Sequence, residues 1–445
     1  MGVMMQAFYW DCPREDGREY EWWNYVREKL PSLGVTGFDA LWLPPVHKAA
    51  NIFGASMGYD PYDYYDLGEF DQKGGVKTWF GSKQELLDLI QTAHQHGLWL
   101  LADLVFNHSS GADGTEVNPI TGQTRWTLFE PKSGQFRRNW ECFHPNMYES
   151  WDEGTFGDMP DLSHRNPYVY GELLKLTRWL VEEIGFDGFR YDFVKGYGAD
   201  TVTAIQEYRY MRQGEPFRPY GVAEHWDNTQ AIEYWVNVSN FSNQNPVDAF
   251  DFPLRELLKG LCDYYGFSLH ALVDGETLLR TQAQTTVTFV ENHDLRDGDR
   301  PIVNDKLLAY SYILTHEGYP CVFWKDYYNY GLALERTPHG IAALVQAHNR
   351  YAGGTTQTLF VNDDLYIMQR SGHGDQPGLI YVLNNNGDHW KGNWVFTQWQ
   401  NKAFTPVAWW SRSDLSRPDN QFAHADGRAQ FWAPPRGYAV YAPLL

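Results

Sequence analysis

Gly185-Phe186-Asp187-Gly188-Phe189-Arg190-Tyr191-Asp192-Phe193 is the segment on which the interpretation of this chain turns. It is short, apolar and set off by glycine, as a buried strand of a parallel sheet would be. It delivers Arg190 and Asp192, two residues apart, at its carboxyl end. Side chains two apart on a strand point the same way, so both face one space. In a barrel of parallel strands that space is the open rim where catalytic groups gather. An Asp beside an Arg is expected to stay ionised, as an attacking carboxylate must. A buried structural ion pair is the plain alternative for an isolated Arg-x-Asp. The rest of the chain decides against it.

Working outward, apolar runs alternate with helical patterns. Strands are expected at Val3–Trp10, Phe38–Pro44, Leu98–Asn107, Phe186–Phe193, Tyr220–Trp226, Val247–Phe252, Thr286–His293 and Pro320–Trp324. Amphipathic helices are expected at Glu21–Leu33, Lys83–His96, Tyr168–Ile184, Asp200–Arg212, Thr229–Ser239, Asp305–Thr315 and His339–Tyr351. Strands alternating with helices predict an α/β fold, a (β/α)8 TIM barrel. An open doubly wound sheet would want a Gly-rich phosphate loop after an early strand, and none is visible. Two segments break the rhythm. Between Asn107 and Ser163 the chain is rich in Gly, Pro, Asn, Asp and Trp without helical period, far too long for a βα loop. It predicts an inserted domain after strand 3, residues 108–163. From about Gly354 short alternating runs replace helices, predicting a C-terminal antiparallel β-sandwich over 354–445. The barrel then comprises residues 1–107 and 164–353.

Length agrees: 445 residues suit a barrel of roughly 250 with additions. Acidic residues outnumber basic ones 56 to 36, a formal charge of −20, which argues against nucleic acid or an anionic membrane as partner. An uncharged substrate, or cations held by carboxylates, fits better. No run of about 18 apolar residues predicts a membrane span. Cys12, Cys142, Cys262 and Cys321 lie far apart, which predicts buried reduced thiols and neither a disulfide framework nor a zinc site. The start, Met1-Gly2-Val3-Met4-Met5-Gln6, lacks a charged-then-apolar leader. A cytoplasmic protein is expected, the alternative being a mature secreted form whose leader has been removed. The 19 Trp and 29 Tyr are mostly core, yet so large an excess also suits sugar rings, whose C–H faces stack on aromatic planes.

Four strand ends carry polar residues, which are costly there unless used. The third ends Asp103-Leu104-Val105-Phe106-Asn107-His108, and the fourth ends with Arg190 and Asp192, then Lys195-Gly196. The fifth gives Gly221-Val222-Ala223-Glu224-His225-Trp226, and the seventh Phe289-Val290-Glu291-Asn292-His293-Asp294. Asp192, Glu224 and Asp294 are thus expected to converge, with His108 and His293 among them. Retaining glycoside hydrolysis needs one carboxylate to attack the anomeric carbon and one acid to protonate the leaving oxygen. The Asp beside Arg190 suits the first role, and Glu224, walled by apolar groups such as Trp226, the second.

These segments resemble the sequence regions of the α-amylase family, glycoside hydrolase family 13. The resemblance extends over essentially the whole chain. It includes Gly37-Phe38-Asp39-Ala40-Leu41-Trp42-Leu43-Pro44-Pro45, Met57-Gly58-Tyr59-Asp60-Pro61-Tyr62-Asp63, Met159-Pro160-Asp161-Leu162 and Gly318-Tyr319-Pro320-Cys321-Val322-Phe323-Trp324. Phe143-His144-Pro145-Asn146 and Gly154-Thr155-Phe156-Gly157 look closest to the archaeal members, the earlier loops to the bacterial liquefying and archaeal types. The resemblance implies that Asp192 is the nucleophile, Glu224 the general acid/base and Asp294 the carboxylate that steadies the distorted sugar. It implies that Arg190 orients Asp192, that His108 and His293 bond sugar hydroxyls, that Tyr59 stacks on the ring and that Lys195 meets the adjacent sugar.

A calcium site is also implied, from Asn107, Asp152 and Asp161 side chains and the carbonyls of Gly154 and Gly196. That all-oxygen set suits Ca²⁺ and not zinc. Some archaeal relatives carry a second, zinc-like site in the insert. Here His144 remains while Glu149 and Ser163 stand at the other positions, and one imidazole is not a zinc site, so none is expected. The overall expectation is a monomeric, retaining, endo-acting hydrolase of α-1,4 bonds in starch, glycogen or related glucans. A maltooligosaccharide-forming amylase or transglycosylase of the same family is the nearest alternative. A catalytically inactive glucan-binding protein is the alternative of another class, and intact Asp192, Glu224 and Asp294 speak against it.

Overall fold

Eight short parallel strands close into a barrel in simple sequence order. They are β1 (Met4–Gln6), β2 (Ala40–Trp42), β3 (Trp99–Leu104), β4 (Gly188–Tyr191), β5 (Tyr220–Ala223), β6 (Asp248–Phe250), β7 (Thr286–Phe289) and β8 (Tyr319–Phe323). The computed structural model describes residues 2–148, 156–242 and 244–444. All eight expected strands are present; the first seven are shorter than their apolar runs, whose ends leave the ladder to form loops, and the eighth is offset by one residue from Pro320–Trp324. Nearly every strand residue is buried, which is why they read as continuous apolar runs rather than as alternating ones.

The intervening helices are α1 (Trp22–Thr36), α2 (Lys83–Gln95), α3 (Pro167–Trp179), α4 (Ala199–Glu207), α5 (Thr229–Ser239), α6 (Phe252–Asp263), α7 (Lys306–Ile313) and α8 (Ile341–Tyr351). Local chemistry starts them. Ser82 and Glu85 form a capping box at α2, and Asn166 caps α3 with Pro167 at its first position. Three departures from the sequence expectation have local causes. Helix α6 has no counterpart among the expected elements, although Asp251 caps it by accepting from Leu254 N at 2.9 Å and Pro253 lies in its first turn. The stretch expected to be helical to Arg212 stops at Glu207, and Tyr210–Arg212 pairs with Glu215–Phe217 as a hairpin around Gly214. The stretch expected to be helical to Ile184 leaves α geometry at Trp179 and finishes as a π turn, Leu180–Ile184.

The chain groups into two compact units, Ala7–Gly34 with Asp39–Phe250, and Met1–Gln6 with Val35–Phe38 and Asp251–Leu445. The first holds β2–β6 and the long excursion after β3. That excursion carries a hairpin, Gly114–Val117 with Thr124–Leu128, and isolated bridges pair Phe143 with Leu162 and His108 with Asp161. Its interior is organised by Arg138, buried with its guanidinium over the rings of Phe129 (4.4 Å), Phe136 (4.9 Å) and Tyr64 (5.2 Å). The second unit ends in antiparallel strands: β9 (Thr356–Val361), β10 (Leu365–Arg370), β11 (Leu379–Asn384), β12 (Lys391–Phe396), β13 (Lys402–Ser411), β14 (Gln421–Ala423), β15 (Arg428–Ala433) and β16 (Gly437–Pro443). Six form a sheet in the order β9-β10-β11-β16-β13-β14, and β12 pairs with β15. Leu365, Ile367, Val382, Val395, Phe404 and Phe431 share one core, so the two sheets face each other. All four cysteines are buried and free.

Candidate active site

The site is built around β4. Its register sets Arg190 beside Asp103 of β3 on one side and Val222 of β5 on the other. Beyond the strand ends the ladders continue, with Asp192 N donating to Leu104 O (3.1 Å) and Glu224 N to Tyr191 O (2.9 Å). Three carboxylates therefore reach one guanidinium. Arg190 Nη1 donates to Asp103 Oδ1 at 2.8 Å and to Asp192 Oδ1 at 2.6 Å. Nη2 lies 2.8 Å from Glu224 Oε2, an ion contact without the alignment of a hydrogen bond.

Arg190 is wholly buried, and its guanidinium lies over Trp42 at 4.8 Å. Burial by itself would lower its pKa, but the charges of Asp103, Glu224 and Asp192 outweigh that and hold it protonated. Asp103 is also fully buried, and burial pushes its carboxyl up against the pull of Arg190 and the donors Tyr59 OH (2.8 Å) and Trp42 Nε1 (2.9 Å). Asp103 stands in one of the four polar strand ends seen in the sequence, yet no role had been expected of it. The signal was a lone acid inside the apolar run Trp99–Leu104, where only a partnered charge is tolerated.

The environment of Glu224 corrects an expectation. It is not set apart by an apolar wall. Its carboxylate meets Arg190 and accepts from Phe193 N at 3.1 Å, while Trp226 is 38% exposed. Tyr59 stands parallel to Trp10, their rings 6.3 Å apart, and its hydroxyl is engaged by Asp103, so the phenol oxygen has a structural task besides any stacking by the ring. His108 Nε2 lies 2.9 Å from Tyr59 O, and burial pushes this imidazole towards its neutral form. Lys195 reaches Asp227 at 2.7 Å.

In the second unit, His293 and Asp294 follow β7. Gln6 Nε2 donates to His293 Nδ1 at 3.1 Å, and His293 Nε2 lies 3.3 Å from Asp294 Oδ2. Gln6, at the end of β1, was not singled out from sequence. Glu291 anchors this loop from below: it accepts from Ile302 N (2.6 Å), and Arg255 (3.3 Å) and Lys306 (3.2 Å) flank it. Burial raises Glu291 to about 7, the two cations pulling against it.

Of the expected calcium ligands, Asp152 and Gly154 lie outside the described residues, as does Glu149. The other three fit a cation. Asn107 is fully buried and its Oδ1 has no hydrogen-bond donor. Gly196 presses against that oxygen so closely that a β-carbon would fall 1.8 Å from it. Asp161 is buried and pairs with His108 as a bridge. An undonated oxygen cradled by glycine, beside a buried acid, is the hard-oxygen chemistry Ca²⁺ prefers. Among the described residues no cluster of three or more His, Cys, Asp or Glu forms, and no helix is long and apolar enough to cross a membrane.

Comparison with known proteins agrees with this geometry. The family model described as "Alpha amylase, catalytic domain" matches residues 14–259. An α-amylase of Geobacillus stearothermophilus is 31% identical over 503 residues, covering 99% of this chain and 87% of its own. An α-amylase of Bacillus licheniformis is 31% identical over 443 residues, covering 86% and 83%. The solved structure of an α-amylase from Geobacillus thermoleovorans, complexed with acarbose, aligns over 100% of this chain and 98% of that one. Its TM-score is 0.69 at 18% identity, a likeness of fold.

Proposed function

The chain belongs to the α-amylase family of glycoside hydrolases, and we propose that it cleaves internal α-1,4-glucosidic bonds of starch-like glucans with retention of configuration. Asp192 attacks the anomeric carbon as the bond from that carbon to the leaving oxygen breaks, and Glu224 gives its proton to that oxygen. Water then loses a proton to Glu224 and attacks the same carbon, which parts from Asp192. Asp294, placed after β7 as Asp192 and Glu224 are after β4 and β5, stabilises the positive charge that develops on the sugar. Tyr59, His108, His293 and Lys195 hold the sugars on either side of the bond.

The single observation that carries this assignment is the buried Arg190 guanidinium, which meets Asp103, Asp192 and Glu224 at once. Ca²⁺ would be held by Asn107, Asp161 and the Gly196 carbonyl, with Asp152 and Gly154, and when bound would supply charge that fixes these oxygens. Gly196 closes the turn Val194–Gly196, which begins two residues after Asp192, so order at Asn107 is order behind the nucleophile.

The test is hydrolysis of amylose followed by proton NMR of the first products and by product length over time. A new α-anomeric end and a broad early range of lengths are expected. A β-anomeric end would overturn retention, and one fixed length from the first minute would replace the endo reading by an oligosaccharide-forming one. Asp192→Asn and Glu224→Gln should each lower kcat by about a thousandfold or more. Retention of a tenth of the wild-type rate, a barrier change of only about 1.4 kcal/mol, would refute the role concerned.

A further inference from the structure

A groove of about 520 Å³ lies between the start of α2 and the end of α3, and no residue lining it belongs to the Arg190 cluster. Its volume is that of a small-molecule site. Tyr65, Phe70 and Trp179 supply aromatic surface, and Lys83, Gln135 and Lys175 supply polar edges. Tyr65 and Trp179 meet with ring centroids 5.0 Å apart. Tyr65 is 7% exposed, and its buried hydroxyl has no hydrogen-bond partner, an uncommon state for a phenol in a folded core. Helix α3 changes at Trp179 into the π turn Leu180–Ile184, a rare geometry that recurs at functional sites.

Most of the charges around this groove are already answered. Lys83 pairs with Glu69 at 2.9 Å, Arg178 with Glu182 at 2.7 Å, and Lys175 donates to Gln135 at 2.7 Å. The lining cations are therefore spent and offer an anion little. What remains is aromatic surface bordered by both donors and acceptors, which is the complement of a neutral polyhydroxylated ring.

We infer that this groove is a second carbohydrate-binding site, separate from the Arg190 cluster, that takes a short segment of a neutral α-glucan and so holds the enzyme on polymeric substrate. The inference rests on the proposed glucan activity. Trp179 is the stacking surface, and Lys83, Gln135 and Lys175 bond the hydroxyls.

The experiment compares the full chain with Trp179→Ala, and with the double variant Gln135→Ala, Lys175→Ala, whose changes lie on exposed side chains. Two readouts are taken: kcat/KM on maltoheptaose, and adsorption to granular starch in the cold. Trp179→Ala should leave the first unchanged and weaken the second about tenfold, the equivalent of about 1.4 kcal/mol. The double variant should weaken adsorption in the same direction and decides the matter if Trp179→Ala does not fold. Unaltered adsorption in the folded variants would overturn the inference, and so would an equal loss on maltoheptaose, which would make the groove part of the catalytic framework. Failure of the wild-type chain to cleave maltoheptaose would instead overturn the proposed function.

Discussion

Gly196→Ala puts the calcium assignment under direct structural load. A β-carbon at Gly196 would lie 1.8 Å from Asn107 Oδ1, 2.6 Å from Asn107 Cγ and 2.8 Å from Phe193 Cδ1. Something must retreat by about an ångström. Asn107 cannot do so freely, because it is fully buried, its carbonyl accepts from Leu162 N at 2.9 Å and its amide lies 3.3 Å from His108 Nδ1. Overpacking of this kind costs about 1–3 kcal/mol. A second loss follows if Asn107 Oδ1 and the Gly196 carbonyl hold Ca²⁺. At a free concentration about a thousand times its Kd, the ion contributes roughly 4 kcal/mol to the folded state. Thermal unfolding of wild type and variant, each in EDTA and in excess Ca²⁺, separates the two losses. The wild type should gain markedly from Ca²⁺, and Gly196→Ala should unfold earlier in EDTA and gain little. Gly171→Ala is the control: the position is in α3 with nothing within 4 Å of an added β-carbon. It should be stabilised by up to about 1 kcal/mol, with its Ca²⁺ gain intact. A Gly196→Ala variant that matched wild type in both buffers would refute the close approach itself. One that was weaker in EDTA yet kept the full gain would show that the metal does not use Asn107.

Two further outcomes follow from buried groups. Arg190→Lys keeps the charge but loses the planar fork that spans three carboxylates, so kcat/KM on amylose should fall by about a hundredfold or more, the cost of two charge-assisted contacts; a fall of less than tenfold would mean the three carboxylates do not depend on the fork. His316 lies against Tyr312 and bonds Tyr366 OH, and burial lowers its pKa from 6.5 to about 3. Because the folded value is depressed, its stabilisation is complete above the unfolded value of 6.5 and is lost as pH falls from there toward 3. Between pH 6.5 and pH 5 the loss is about 2 kcal/mol. The stability gap between wild type and His316→Gln in urea should narrow by that amount, and a gap independent of pH would refute the buried neutral imidazole.

The parts of this molecule that were legible in its sequence are those written in local pattern. Eight buried strands announced themselves as apolar runs, and the rhythm of intervening helices gave the barrel. Helix α6 escaped because the expected strand Val247–Phe252 absorbed its cap and first residue; Asp251 followed two positions later by Pro253 was the available signal. The hairpin at Tyr210–Arg212 escaped because a helical pattern running past Glu207 hides the turn at Gly214. The π turn escaped because its apolar residues, Leu180, Val181 and Ile184, also fit a helical face. No periodicity distinguishes the two windings over five residues. Asp103 and Gln6 escaped for a different reason. A lone acid in an apolar run marks Asp103 as partnered, but its partner, Arg190, is set by the register of β4 beside β3, and that of Gln6, His293, lies beyond β7, two strands round the barrel.

The same distinction separates the position of Glu224 from its environment. That a Glu stands at the end of β5 is local information. That it meets Arg190 and the amide of Phe193, instead of an apolar wall, depends on β4 lying beside β5 in one register. The chemical consequence is that Asp103, Asp192 and Glu224 draw on a single positive charge. A substitution at Asp103, which is buried against the same guanidinium, should therefore lower kcat/KM on amylose although Asp103 is assigned no part in the reaction, and an unchanged value would refute the sharing of that charge.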